Sequence, residues 1–351
     1  MNTINFRLLL ITFLLLINGL VKAQIEFAHK NHELKFDAYS DLYFGLESTG
    51  KNKNADFLYN HKTNKKVSNN LTLFSIEYKS RYVRSNIKLM AGDYSKYNLA
   101  HEPRWMRAIN ECYLGFKPFQ KTNLWIDAGV YGSYIGLESA MQFDCPTLSR
   151  SILAENSPYY LSGIRSRWIS KNEKTEIGIH ALNGWQRINF DTSFAFPNYG
   201  IEFKSKHLKN VTFGYGLFIG SVYPKSDSIW RHYHNLTCVT KLKSWTLYTT
   251  FDIGFQQENI FYSGIANLQK KWTDKLSSTL RLEHYSDPTS QNISWLGFND
   301  FQVSGISINI DYYLKENILF RIEPKLYYSK NKGFDDEKFN LSALSTICFK
   351  I

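Results

Sequence analysis

The chain has 351 residues, a net charge of +11 and a mean hydropathy of -0.34, yet aromatic residues make up 16% of it. That length, with no Pro/Gly/Ser-rich linker and no repeat of solenoid period, argues for one closed domain. Cys112, Cys145, Cys238 and Cys348 show neither CxxC spacing nor a nearby paired histidine, which excludes the usual metal arrangements and leaves disulfides and single thiols both open.

Residues 1–23 carry Arg7, the apolar run Leu8 to Ile17, then Asn18-Gly19 and the small-residue site Val21-Lys22-Ala23. This predicts a secretory signal peptide cut before Gln24, with the domain over 24–351. The apolar run is too short to cross a bilayer of about 30 Å, and no later window is continuously apolar for the length a helix needs. Any membrane crossing must therefore use strands. Losing Arg7 and Lys22 lowers the net charge from +11 to +9. In an exported chain that surplus sets nucleic acid aside and points to anionic lipopolysaccharide or an anion-favouring interior.

From there the chain reads as alternating segments separated by turn residues. They cover 33–46, 70–80, 82–92, 108–117, 123–133, 159–169, 175–184, 198–206, 211–221, 232–243, 245–256, 261–271, 276–286, 301–313, 318–329 and 339–351. The count is 16, with 14 as the alternative because the 257–260 link is short for its place. Connections alternate between tight and long, and the long ones are 47–69, 93–107, 134–158, 185–197, 222–231, 287–300 and 330–338. Short turns at one end and long polar loops at the other are the signature of a closed antiparallel transmembrane β-barrel in a bacterial outer membrane, where lipopolysaccharide would border the long loops.

Successive residues of a strand point to opposite faces, so parity assigns sides. Trp245, Leu247, Phe251, Ile253 and Phe255 fall on one side, and Tyr248, Asp252 and Gln256 on the other. Val83, Ile87 and Leu89 oppose Arg84, Asn86 and Lys88; Ile164 and Trp168 oppose Arg165 and Arg167; Phe320 and Ile322 oppose Arg321 and Glu323. The apolar set suits lipid and the charged set a water-filled lumen. Ile347, Phe349 and Ile351 keep the alternation to the carboxyl end, so residues 341–351 are the segment the barrel-assembly machinery would read.

Two stretches hold more than pattern. Residues 124–138 end a strand on Gly136-Leu137-Glu138; Ser149-Arg150-Ser151 follows in a loop; Ser162-Gly163-Ile164-Arg165 opens the next strand; and Asn183-Gly184-Trp185 ends the one after. This resembles the OmpL-like β-barrel porin family (porin-2 type) common in Bacteroidetes-type bacteria, closely over about 65 residues. Ser162 stands where that pattern has Thr, Gln186 where it has an acid, and Ile351 where it ends on an aromatic residue. The resemblance implies diffusion or uptake of small solutes and names no substrate or cofactor.

Loop 134–158 is the longest connection and, by count, the third outside loop. Pro146-Thr147 predicts a short helix running to Glu155. An inward fold would make this loop the constriction, with Glu138, Asp144, Arg150 and Glu155 in it, and its acids facing the wall bases Arg84, Lys88, Arg165 and Arg167. A mild anion preference is expected. Arg150 and Arg165 holding the loop to a carboxylate pair is the bland alternative, and Trp185 reads as an interfacial aromatic. Two rivals are an outer-membrane barrel enzyme of phospholipase or deacylase type, with His232, His234 and His284 as bases, and an exported glycan-binding β-sandwich.

Overall fold

Residues whose side chains alternate apolar and polar form strands throughout this chain. In a computed structural model, residues 25–29, 31–189, 197–222, 229–293, 300–331, 334 and 337–351 are described. The expected signal peptide and Gln24 lie outside them. The strands are β1 (Ile25–His29), β2 (His32–Glu47), β3 (Val67–Ser80), β4 (Val83–Ala91), β5 (Ile109–Phe116), β6 (Leu124–Gly132), β7 (Tyr160–Ile169), β8 (Thr175–Leu182) and β9 (Asn198–Ser205). They continue with β10 (Val211–Ser221), β11 (Trp230–Leu242), β12 (Trp245–Gln256), β13 (Asn259–Lys271), β14 (Leu276–Asp287), β15 (Phe301–Lys315), β16 (Ile318–Ser329) and β17 (Phe339–Lys350).

Each strand from β2 to β17 pairs antiparallel with the next, and β17 closes on β2 from Ser342 opposite Glu47 to Lys350 opposite Tyr39. Closure gives every ladder a partner and removes the sheet edges. The barrel has sixteen strands rather than fourteen: β12 and β13 are joined by Gln257-Glu258, with Gln257 in the left-handed region at φ 53°, which allows a two-residue turn. One closed ladder also replaces the two facing sheets of a sandwich. The extra strand, β1, forms a hairpin with the start of β2, Ile25 opposite Phe36 and His29 opposite His32.

Parity is obeyed in every tested strand. Phe320, Ile322 and Leu326 of β16 are exposed, while Arg321, Glu323 and Lys325 between them are buried. Exposed apolar side chains on a polar chain make sense only against lipid. All four cysteines are free thiols. Among the described residues, no helix is long and apolar enough to cross a membrane.

The inner side is packed where the long loops enter. Residues 48–66 send Phe57 and Leu58 against Ile152, Tyr285, Phe301, Val303 and Tyr327. Helix α1 (Asp93–Asn98), in the second long loop, brings Tyr94 into a second cluster with Leu71, Leu73, Tyr159 and Tyr160.

Candidate functional site

The connection between β6 and β7 supplies most of the polar atoms that meet the barrel's inward side chains. It starts with Tyr134, whose ring fills a slot left by Gly200 and Gly216: a Cβ at Gly200 would stand 2.3 Å from the Tyr134 hydroxyl. That hydroxyl donates to Leu217 O at 2.7 Å, and Gly136 N donates to Asn235 Oδ1 at 3.0 Å. Farther along, helix α2 (Ile152–Glu155) is a single turn, capped by Ser151, whose Oγ accepts from Ala154 N at 3.1 Å. It begins well after Pro146, because Leu148 N, Ser149 N and Ser151 N donate to the side chains of Asn309, Glu323 and Glu138 instead of to helical carbonyls.

Those bonds form a seam along β14, β15, β16 and the β17–β2 closure. Asn309 Oδ1 accepts from Leu148 N at 3.0 Å, Glu323 Oε2 from Ser149 N at 2.6 Å, and Glu283 Oε2 from Ile152 N at 2.7 Å. Arg281 donates to Thr147 Oγ1 and to Ser149 O, both at 2.9 Å, while pairing with Glu323 at 2.7 Å. Arg321 donates to Gln142 O at 2.5 Å and Cys145 O at 3.0 Å, while pairing with Asp311 at 2.7 Å. Gln142 Nε2 donates to Asp41 Oδ2 at 2.7 Å. Unpaired loop backbone in a buried place would cost about 1–3 kcal/mol per group, and here wall side chains meet it. Arg281, Glu283, Arg321 and Glu323 were not foreseen as site residues, although the repeated Arg-x-Glu of β14 and β16 was readable in the sequence.

The predicted loop residues are all placed in this region but in other pairings. Glu138 accepts from Ser151 N at 2.8 Å and lies 3.9 Å from Arg281. Asp144 pairs with Lys350 at 2.7 Å. Arg150, fully buried, donates to Ser139 O at 2.7 Å, Ala140 O at 2.8 Å and Leu148 O at 3.1 Å, so it braces the loop's own backbone rather than a carboxylate pair. Glu155 reaches the first long loop, accepting from Tyr59 N at 2.9 Å and Asn60 Nδ2 at 3.1 Å. Burial pushes the carboxyls of Glu138 and Glu155 above the ordinary range.

The predicted wall bases pair within the wall, and one of them, Lys88, also borders a cavity lined by Glu138 and Asp144. Arg84 and Arg165 both grip Asp127, at 2.6 Å and 2.7 Å; Lys88 pairs with Glu111 at 3.0 Å; Arg167 lies 3.2 Å from Glu176. Arg165 also stacks 4.3 Å from the Tyr131 ring centre. Cross-strand register brings wall acids nearer than the loop, so the direct ion pairs of these bases are made within the wall. Trp185 is likewise not interfacial: it packs inside against Phe218 and Tyr233 with Arg231 over its ring.

Spaces lie beside the loop and at the short-turn end of the barrel. A cavity of about 340 Å3 is lined by Lys88, Glu111, Glu138, Asp144 and Tyr159 among others, and one of about 260 Å3 by Lys35, Asp37, Glu77 and Lys350; both touch Leu73, Lys88 and Met141. A third, of about 730 Å3, sits at the short-turn end beside Lys271, Lys275, Lys315, Asp274 and Glu316.

His284 Nδ1 lies 2.9 Å from Ser304 Oγ, and His234 Nδ1 lies 2.9 Å from the Tyr215 hydroxyl. Among the described residues no carboxylate orients the His284 ring, and the β13–β14–β15 ladders engage the neighbouring backbone. No group of three or more His, Cys, Asp or Glu able to hold a metal occurs among the described residues.

A closed sixteen-strand barrel with lipid-facing apolar strands, a charged inner wall and a loop bonded to that wall is a porin-type outer-membrane barrel. Its family is specific: residues 33–349 match the family described as "Putative beta-barrel porin-2, OmpL-like", and the chain belongs to it. Among solved structures it is similar to OmpF of Salmonella typhi in complex with daunomycin (TM-score 0.65, 9% identity, 93% of this chain and 100% of that one). It is also similar to an anion-selective porin from Comamonas acidovorans (TM-score 0.62, 8% identity, 91% and 100%) and to the outer membrane channel DcaP of Acinetobacter baumannii (TM-score 0.61, 10% identity, 93% and 99%). At such identities the likeness is one of fold. No curated protein matches the sequence. The barrel belongs in a bacterial outer membrane.

Proposed function

We propose that this barrel is a non-enzymatic channel for passive diffusion or uptake of small hydrophilic solutes, narrowed by loop 134–158. The observation that supports this reading is attachment that leaves one sector of the wall free. The loop is bonded to β10, β11 and the β14–β2 wall, whereas two spaces bordered by Lys88 and Met141 lie between the loop and β2–β5. Solutes pass on that open side. The passage lining holds three bases, Lys35, Lys88 and Lys350, against five acids, Asp37, Glu77, Glu111, Glu138 and Asp144, so the passage itself supplies no anion preference. A mild anion preference then rests on the short-turn vestibule, where Lys271, Lys275 and Lys315 outnumber Asp274 and Glu316. Screening over about 8–10 Å keeps it small and makes it shrink with salt. Lipopolysaccharide around the long loops and the assembly machinery at residues 341–351 complete the expected partners.

Single-channel conductance in a planar bilayer tests the reading. Deleting residues 149–155 should raise conductance, and Lys271→Glu with Lys315→Glu should move the reversal potential toward cations. A silent wild-type bilayer would overturn the channel. An unchanged conductance after the deletion would move the constriction elsewhere.

A further inference from the structure

On the outward face of β12–β14, near the short turns, one lysine stands among aromatic rings. Lys270 is opposite Trp245 on β12 and Ser278 on β14, so the three share a face. Its Nζ lies 3.8 Å from the Trp272 ring centre and 4.8 Å from that of Trp245. Trp272 Nε1 donates to Ser278 Oγ at 2.8 Å, which fixes the indole and leaves the serine's own proton to donate. Among the described residues no carboxylate lies within ion-pair distance of Lys270; its neighbour Lys271 has taken Asp274 at 2.8 Å.

The row one step nearer the membrane middle is Leu247, Leu268 and Leu280, opposite one another and all exposed. One such step along a strand is about 6.8 Å. Acyl chains against the leucine row therefore bring the lipid phosphate level with Lys270. In the turn just beyond β11 stands Lys243, a further positive charge that favours a headgroup with net negative charge.

We propose that Lys270, Ser278, Trp245 and Trp272 form a binding site for an anionic phospholipid of the leaflet facing the periplasm. The lysine ammonium and serine hydroxyl take the phosphodiester, and the indoles lie against the glycerol region. The leucine row favours a lipid over a free anion. The lysine's placement follows from the ladder register and does not depend on what the channel conducts.

The intact protein, refolded into vesicles of equal parts phosphatidylglycerol and phosphatidylcholine, is measured with bromine on one lipid or the other. Tryptophan quenching should favour brominated phosphatidylglycerol, reflecting about a fivefold local preference, the factor one basic side chain supplies near an anionic surface. Lys270→Gln should remove most of that preference, and Lys270→Glu all of it. A heat-shifted gel band for each variant ensures that folded barrels are compared, and the Gln variant serves if the Glu variant fails to fold. Equal quenching by the two lipids in the wild type, or a preference that survives both substitutions, overturns the site. Loss of the preference in inorganic phosphate but not in chloride of equal ionic strength means that the site takes the free anion, which overturns the lipid assignment.

Discussion

Two stretches of the same inner wall use charge differently. From β14 round to β2, Arg281, Glu283, Arg321 and Glu323 bond the backbone of an incoming loop in addition to the pairs Arg281–Glu323 and Arg321–Asp311 within the wall. From β4 to β7, Arg84, Lys88 and Arg165 spend their bonds on Asp127 and Glu111, side chains of the wall itself. The first stretch holds a loop and fills up; the second holds only itself and leaves space beside it. An inward charge is thus no marker of a pore-lining group until its partner is known.

The widest contrast should come from truncating one arginine in each stretch. Arg281→Ala leaves Glu323 buried without its cation and frees the loop at Thr147 and Ser149, a loss of roughly 3–5 kcal/mol. Arg84→Ala leaves Asp127 still held by Arg165, a loss of roughly 1.5–3 kcal/mol. Denaturant unfolding in detergent measures both, and equal losses would erase the distinction between the stretches.

The closing strand offers the next comparison, since its two faces belong to lipid and loop. Phe349→Asp with Ile351→Asp places charge on the lipid side, where each costs at most about 2–4 kcal/mol and less toward the rim. Lys350→Ala removes a half-exposed pair with Asp144, worth about 0–1 kcal/mol. The first variant should lower the amount of heat-modifiable barrel at the cell surface and the second should leave it nearly intact.

A subtler probe is Gly115, which lies opposite both Arg84 and Asp127 in its two ladders. A Cβ there would stand 2.0 Å from Asp127 Oδ1, so Gly115→Ala must displace the Arg84–Asp127 bridge. Overpacking of this kind costs roughly 1–3 kcal/mol, read by the same unfolding measurement. An unaltered midpoint would show that the bridge adapts freely.

The smallest effect concerns pH. Glu138 and Glu155 have raised carboxyls, so the native protein takes up protons where the unfolded chain is still ionised. The cost of burying their charge is present above that window and is relieved as pH falls through it. Glu155→Gln should therefore flatten the pH dependence of the unfolding midpoint just above the ordinary carboxylate range; an unchanged slope would remove Glu155 from the account.

The sixteen barrel strands were legible within a few residues because lipid and lumen impose strict alternation, which a sequence displays directly. β1 was not, since Ile25–His29 is too short to show a period. Loop partners were harder still. The Arg-x-Glu repeats could be seen, but Arg281 meets Ser149 and Arg84 meets Asp127 only because of strand register and loop path, which no local pattern encodes. Phe57 and Leu58 were a visible apolar pair in a polar loop, and their crossing to β14–β16 was the missed reading.

The gap at Gly115 has a mechanical side. Arg84 sits on β4 and Asp127 on β6, so their bridge passes over the backbone of β5, and Arg165 extends it to β7. Four staves are thereby tied by a hoop running across them. Parting any one ladder would leave the hoop spanning the split, so this sector of the wall resists opening sideways in a way that backbone bonds between adjacent strands alone would not provide.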